Sequence, residues 1–177
     1  VTLSSDFSGG RMDGCKRISP NNYVVTLVPE NFPINHSPWY AFKLTADSRE
    51  KISITLDYTK HSHRYHPKIS RDSVSWTTLD KGQIDVSQDR LQATITLDTK
   101  RGDTWISAQE IIDNEDNHEW MAGLAEQPFL ELSLLGQSAQ GRDIYQIESG
   151  SGAKNQTVLL IGRQHPPEIT GALAMRP

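Results

Sequence analysis

Two residues near the carboxyl end of the sequence, His165 and Glu168, have the side-chain types and the spacing to share one metal ion. Imidazole nitrogen and carboxylate oxygen both bind Zn²⁺ at about 2.0–2.2 Å, and a catalytic zinc takes three protein ligands and keeps a fourth position for water or substrate. The apolar residues Val158, Leu159, Leu160 and Ile161 read as a buried strand that delivers His165 at its carboxyl end. Pro166 and Pro167 then stiffen the turn into a helix beginning near Glu168. On spacing alone, an ordinary strand-to-helix turn explains the pair as well, with Glu168 complementing the helix dipole and His165 solvated. Arg163 either faces the same cleft or makes a structural ion pair at the strand end.

Three further groups invite a chemical reading. His61, His63 and His66 lie within six residues, and on a strand the first two would project from one face. No acidic or cysteine partner adjoins them, and Pro67 and Lys68 leave the sheet, so a solvated loop bordering a cleft is expected. Trp39, Trp76, Trp105 and Trp120 could form a carbohydrate-stacking surface, but core packing of most rings is the expectation. Cys15 has Lys16 and Arg17 beside it, which would favour its thiolate, yet no paired histidine follows and a catalytic thiol is not expected.

The elements that must position these groups read first as β-structure. Residues 23–28, 39–44, 52–58 and 91–97 are short runs rich in β-branched and aromatic side chains. Ile52, Ile54, Leu56 and Tyr58 fall on one face and Ser53, Thr55 and Asp57 on the other, and Leu91, Ala93, Ile95 and Leu97 repeat the pattern. Turn clusters punctuate the runs, which predicts an antiparallel β-sandwich over residues 1–115. A second unit, 116–177, follows a boundary between Trp105 and Pro128. It opens with a short helix capped by Asn117, then two strand segments with Leu132, Leu134, Ile144 and Ile147 as their apolar positions. Arg142 and Asp143 are expected to tie the turn between those segments to the sheet.

Composition narrows the function. A net charge of −4 over 177 residues gives no basic footprint for nucleic acid, and no run of about 18 apolar residues is present to span a membrane. One cysteine cannot form an intramolecular disulfide, which fits a reducing compartment and a cytoplasmic location, and equally many bacterial proteins in general.

The segment Leu135-Gly-Gln-Ser-Ala-Gln-Gly-Arg-Asp-Ile144, followed by the apolar run and Arg163-x-His165-Pro166-x-Glu168, resembles the zinc carboxypeptidase family. The form of the metal motif is most similar to the cytosolic carboxypeptidase-like branch, although Pro167 stands where that branch usually has glycine. The resemblance implies an amino-terminal β-sandwich followed by the beginning of an α/β catalytic domain, a mixed sheet flanked by helices. It implies zinc held by His165, Glu168 and a second histidine, and hydrolysis of peptide bonds at the carboxyl-terminal tails of peptides or proteins. The third ligand, the general-base glutamate, the carboxylate-binding arginine and the tyrosine that caps the substrate would all lie downstream of Pro177, so the 177 residues read as the amino-terminal portion of a longer enzyme. The other readings are a non-catalytic β-sandwich interaction module and a pseudoenzyme.

Overall fold

The computed structural model describes residues 1–29, 33, 39–150 and 158–176. Twelve strands and two α-helices succeed one another among them. The strands are β1 (Thr2–Ser4), β2 (Gly14–Ser19), β3 (Asn22–Leu27), β4 (Ala41–Ala46), β5 (Lys51–Tyr58), β6 (Lys68–Ser70), β7 (Trp76–Thr78), β8 (Ile84–Val86), β9 (Gln92–Asp98), β10 (Gly102–Ser107), β11 (Leu130–Gln137) and β12 (Asp143–Ser149). The helices are α1 (Asn114–Leu124) and α2 (Ile169–Met175). By contacts the chain divides into one unit of Val1–Ile111 with Gly162–Pro177 and a second of Ile112–Ile161.

The first unit is built from two five-stranded sheets, ordered β1-β4-β10-β6-β7 and β2-β3-β5-β9-β8. Alternation explains why these residues form strands. In β5, Ile52, Ile54, Leu56 and Tyr58 are buried while Ser53, Thr55 and Asp57 are only half-buried, and β3 and β9 follow the same rhythm. One hydrophobic cluster joins residues of both sheets, with Val25, Leu27, Tyr40, Phe42, Ile54, Leu56, Ile95 and Ile106 among its members. At about 25 cal/mol per Å² of apolar surface removed from water, such a cluster is the main favourable term in folding this unit.

Two details depart from the sequence reading. The second sheet is not wholly antiparallel, because β3 and β5 pair in parallel: the intervening β4 lies in the other sheet, so the chain returns in its original direction. Leu91, expected on the buried face ahead of β9, is exposed, because the strand begins one residue later.

In the second unit, β11 and β12 form an antiparallel hairpin with a register shift between Leu134 and Gly136. Its turn is closed by Gly141 N–H to Ser138 O, and Gly141 sits at φ +72°, where a side chain would be strained. Asp143 accepts from Gln137 Nε2 at 2.8 Å and from the Tyr145 hydroxyl, so it does tie the turn to the strands. Helix α1 begins earlier than expected. Its cap is Asp113, not Asn117, because Asp113 and Asp116 complete a reciprocal capping box at the required spacing.

The run Val158, Leu159, Leu160 and Ile161 does not form the expected strand; all four residues are exposed, from 83% for Val158 to 66% for Ile161. Apolar character without alternation specifies burial on both faces, and only neighbouring strands can supply that. Among the described residues these four pair with none.

Candidate metal centre

His165 and Glu168 meet. The His165 Nδ1 and Glu168 Oε1 atoms are 2.9 Å apart, and a second bond, Glu168 N–H to His165 O at 3.1 Å, closes the same four-residue turn. With Pro166 and Pro167 between them, two of the turn's four residues have φ fixed near −65°, which lowers the entropy cost of holding the donors together. Pro167 is buried and anchors the turn, as does Ile169 at 2% exposure.

Helix α2 begins at Ile169, as the sequence reading required, and Glu168 occupies its N-cap position. A glutamate there that served only the helix would turn its carboxylate toward the free backbone N–H groups. It makes no such bond and points instead to the imidazole. Arg163 stands two residues before His165 with φ +51°, an uncommon backbone state for a residue with a side chain, and it turns the chain toward the pair.

The donor set fits a zinc ion as far as it goes. A tetrahedral Zn²⁺ holding both atoms at 2.0–2.1 Å would separate them by about 3.3 Å, a few tenths of an ångström more than they are now. With the carboxylate as acceptor, the hydrogen bond between them is donated by Nδ1. Among the described residues no third histidine, cysteine or carboxylate joins them.

The other histidines do different work. His61, His63 and His66 are in the expected loop, but His63 is not solvated: it is 5% exposed, and its Nδ1 lies 2.9 Å from the Tyr58 hydroxyl. Its carbonyl accepts two bonds from the Arg90 guanidinium at 3.2 and 2.6 Å, and its N–H donates to the Arg90 carbonyl. Burial, then the Arg90 and His66 charges, push the His63 imidazole down to about 4. His66 donates from Nε2 to the Leu79 carbonyl and His61 from Nδ1 to that of Ser62. These three rings are pinned separately and do not converge. Nothing in the sequence marked His63 as a core residue.

Of the tryptophans, Trp39 is buried and donates to the Gly9 carbonyl. Trp76 and Trp105 are only half-buried and, against expectation, lie off the core. Strand register places them in one row with Lys43 and Ser70, on the face opposite Phe42, Ile69 and Ile106. Partial burial raises the Cys15 thiol, opposite to the shift a reactive thiolate needs. A cavity of about 530 Å³ in the second unit is lined by Asn117, His118, Met121, Arg142, Asp143 and Tyr145 among others, and neither His165 nor Glu168 borders it.

Solved structures similar to this chain are metallo-carboxypeptidases. A candidate carboxypeptidase A from Shewanella denitrificans OS-217 superposes with a TM-score of 0.72 at 15% identity, covering 85% of this chain and 40% of its own. A metallo-carboxypeptidase from Burkholderia cenocepacia gives 0.70 at 17% identity, with 88% and 41% covered. A metallo-carboxypeptidase from Pseudomonas aeruginosa, solved in complex with (2-guanidinoethylmercapto)succinic acid, gives 0.64 at 18%, with 83% and 40% covered. The chain thus has the fold of the amino-terminal part of these proteins and spans about 40% of their length. No protein-family model matches it, and neither does any curated protein. No helix among the described residues is long and apolar enough to cross a membrane.

Proposed function

We propose that the chain is the amino-terminal part of a zinc metallocarboxypeptidase of the cytosolic carboxypeptidase-like branch, with His165 and Glu168 as the first two zinc ligands. The observation that carries this reading is the 2.9 Å approach of His165 Nδ1 and Glu168 Oε1, made by a carboxylate that leaves its own helix uncapped. The fold shared with metallo-carboxypeptidases supports it. In this reading the two-sheet unit is the β-sandwich wall of the cleft and the second unit opens the α/β domain, whose further strands cover the exposed residues 158–161. The substrates are carboxyl-terminal tails of peptides or proteins, and the compartment is the cytoplasm.

When bound, zinc supplies a Lewis acid for the scissile carbonyl and a water acidified for attack. The residues of this chain do the holding. His165 would hold the ion through Nδ1 and Glu168 through Oε1, the two atoms the turn already brings together. Arg163 fixes the direction from which the backbone enters the turn. The third ligand, the general base and the arginine for the substrate carboxylate belong to sequence beyond these 177 residues.

The test is zinc content by elemental analysis, with hydrolysis of carboxyl-terminal glutamyl and apolar peptides, on the full-length gene product beside its His165→Ala variant. Near one zinc per chain and activity lost in the variant are expected. A product without zinc and without activity after zinc is supplied would favour the interaction module or the pseudoenzyme.

A further inference from the structure

The glycines that bracket the metal turn touch each other. A Cβ built on Gly171 would stand 3.5 Å from both the Arg163 nitrogen and the Gly162 Cα, and one built on Gly162 would stand 3.4 Å from the Gly171 carbonyl carbon and 3.6 Å from the Ala172 nitrogen. Neither glycine has a positive φ, so backbone conformation does not demand glycine at either position. Gly171 also lies within α2, where glycine is the least favourable residue after proline. What the two positions share is this close approach of their backbones.

We propose that this Gly162–Gly171 contact is the clasp that positions the metal ligands, an inference that rests on the zinc reading above. The contact closes the base of a loop, residues 163–170, which contains Arg163, His165, the two prolines and Glu168. Inside the loop the left-handed Arg163, the buried Pro167 and Ile169 and the Glu168 N–H to His165 O bond fix the path. At the base, the entering chain and the first turn of α2 lie so close that a Cβ on either glycine would already touch the facing backbone, which leaves no room for a larger side chain pointing that way. Separating them rotates α2 and its N-cap Glu168 away from His165. Gly162 and Gly171 are positioning residues, since neither carries a ligand atom.

The contact distances set a graded test. At 3.4–3.6 Å an alanine Cβ makes ordinary van der Waals contact and is tolerated, whereas the two γ carbons of valine must enter the space of the facing backbone. Zinc affinity of the full-length gene product is measured by competition with a chromophoric chelator, and Co²⁺ substitution reports ligand geometry through its visible bands. Gly171→Ala is expected to bind within about twofold of the parent. Gly171→Val and, independently, Gly162→Val should lose at least tenfold in affinity and show shifted Co²⁺ bands, with near-ultraviolet circular dichroism of the two-sheet unit unchanged. Valine has a better helix propensity than glycine, so loss at Gly171→Val cannot come from a weaker helix. Valine variants that bind zinc like the parent overturn the clasp and leave the metal reading standing. If the parent binds no zinc, or binds it as tightly after His165→Ala, the metal reading falls and the clasp with it.

Discussion

The buried His63 makes the two-sheet unit acid-sensitive in a window that can be calculated. An imidazole free in the unfolded chain titrates near 6.5, whereas burial, with Arg90 and His66 nearby, pushes that of His63 down to about 4. Between these values the unfolded state holds a proton that the folded state refuses. Stability therefore rises with pH across this range, is fully present above about 6.5 and is lost as pH falls toward 4. At 1.36 kcal/mol per pH unit the difference amounts to about 3 kcal/mol, a large part of the stability of a domain this size. The groups around the ring are the Tyr58 hydroxyl at 2.9 Å, the Arg90 guanidinium on the His63 carbonyl, and His66. The assay is urea unfolding followed by tryptophan fluorescence at pH 7.5, 5.5 and 4.5 for the parent and for His63→Gln, which stays neutral throughout and can still meet Tyr58. The parent should lose about 2.5 kcal/mol more than the variant between the extremes, since pH 4.5 stops short of the folded-state value. Parallel stability curves, or an NMR titration placing His63 near 6.5, would refute the argument.

Other outcomes are equally specific. Asp113→Ala removes the side-chain half of the α1 capping box, the bonds from the Glu115 and Asp116 N–H groups, while the backbone N–H of residue 113 can still donate to Asp116; it should cost the second unit about 1 kcal/mol, read as faster hydrogen exchange in the first turn of the helix. Leu56→Ala, at a site with no solvent exposure in the shared core, should destabilise the two-sheet unit by about 2–5 kcal/mol in the same urea experiment. The exposed run at residues 158–161 should bind a hydrophobic dye in the isolated 177-residue chain, and Leu159→Ser with Leu160→Ser should remove most of that fluorescence.

The sequence showed most clearly what depends on local periodicity. β5 and β9 announced themselves by strict alternation, and the turn at Ser138–Arg142 by its glycine. Three-residue strands such as β6, β7 and β8 are too short to show a period. The outward placement of Trp76 and Trp105 follows from cross-strand register, which no single run contains. The parallel pairing of β3 with β5 follows from β4 lying in the other sheet, a long-range fact. Residues 158–161 read as a strand because their composition is that of one, yet a strand exists only when its hydrogen bonds find a partner. At the candidate site the pairing of His165 with Glu168 and the helix start were legible from spacing. The contact between Gly162 and Gly171 was not, because a glycine in a sequence does not say whether it supplies conformational freedom or space.

What separates a metal turn from an ordinary helix start is how the carboxylate is used. Side-chain capping contributes about 1 kcal/mol, and a seven-residue helix has little stability to spare. A sequence shaped only to begin α2 would place serine, threonine or aspartate at position 168 and let it cap. Here the position carries the longer glutamate, whose carboxylate forgoes the helix amides and meets an imidazole held in place by two prolines. A charge-assisted hydrogen bond between partly exposed groups recovers little of that stability. The arrangement is reasonable if the two atoms are poised for a third, electrophilic partner, which would convert a weak surface pair into two strong coordinate bonds. Glu168→Asp therefore separates the roles: it should improve helix capping and weaken zinc binding, whereas a purely structural turn would gain on the first count and lose nothing on the second.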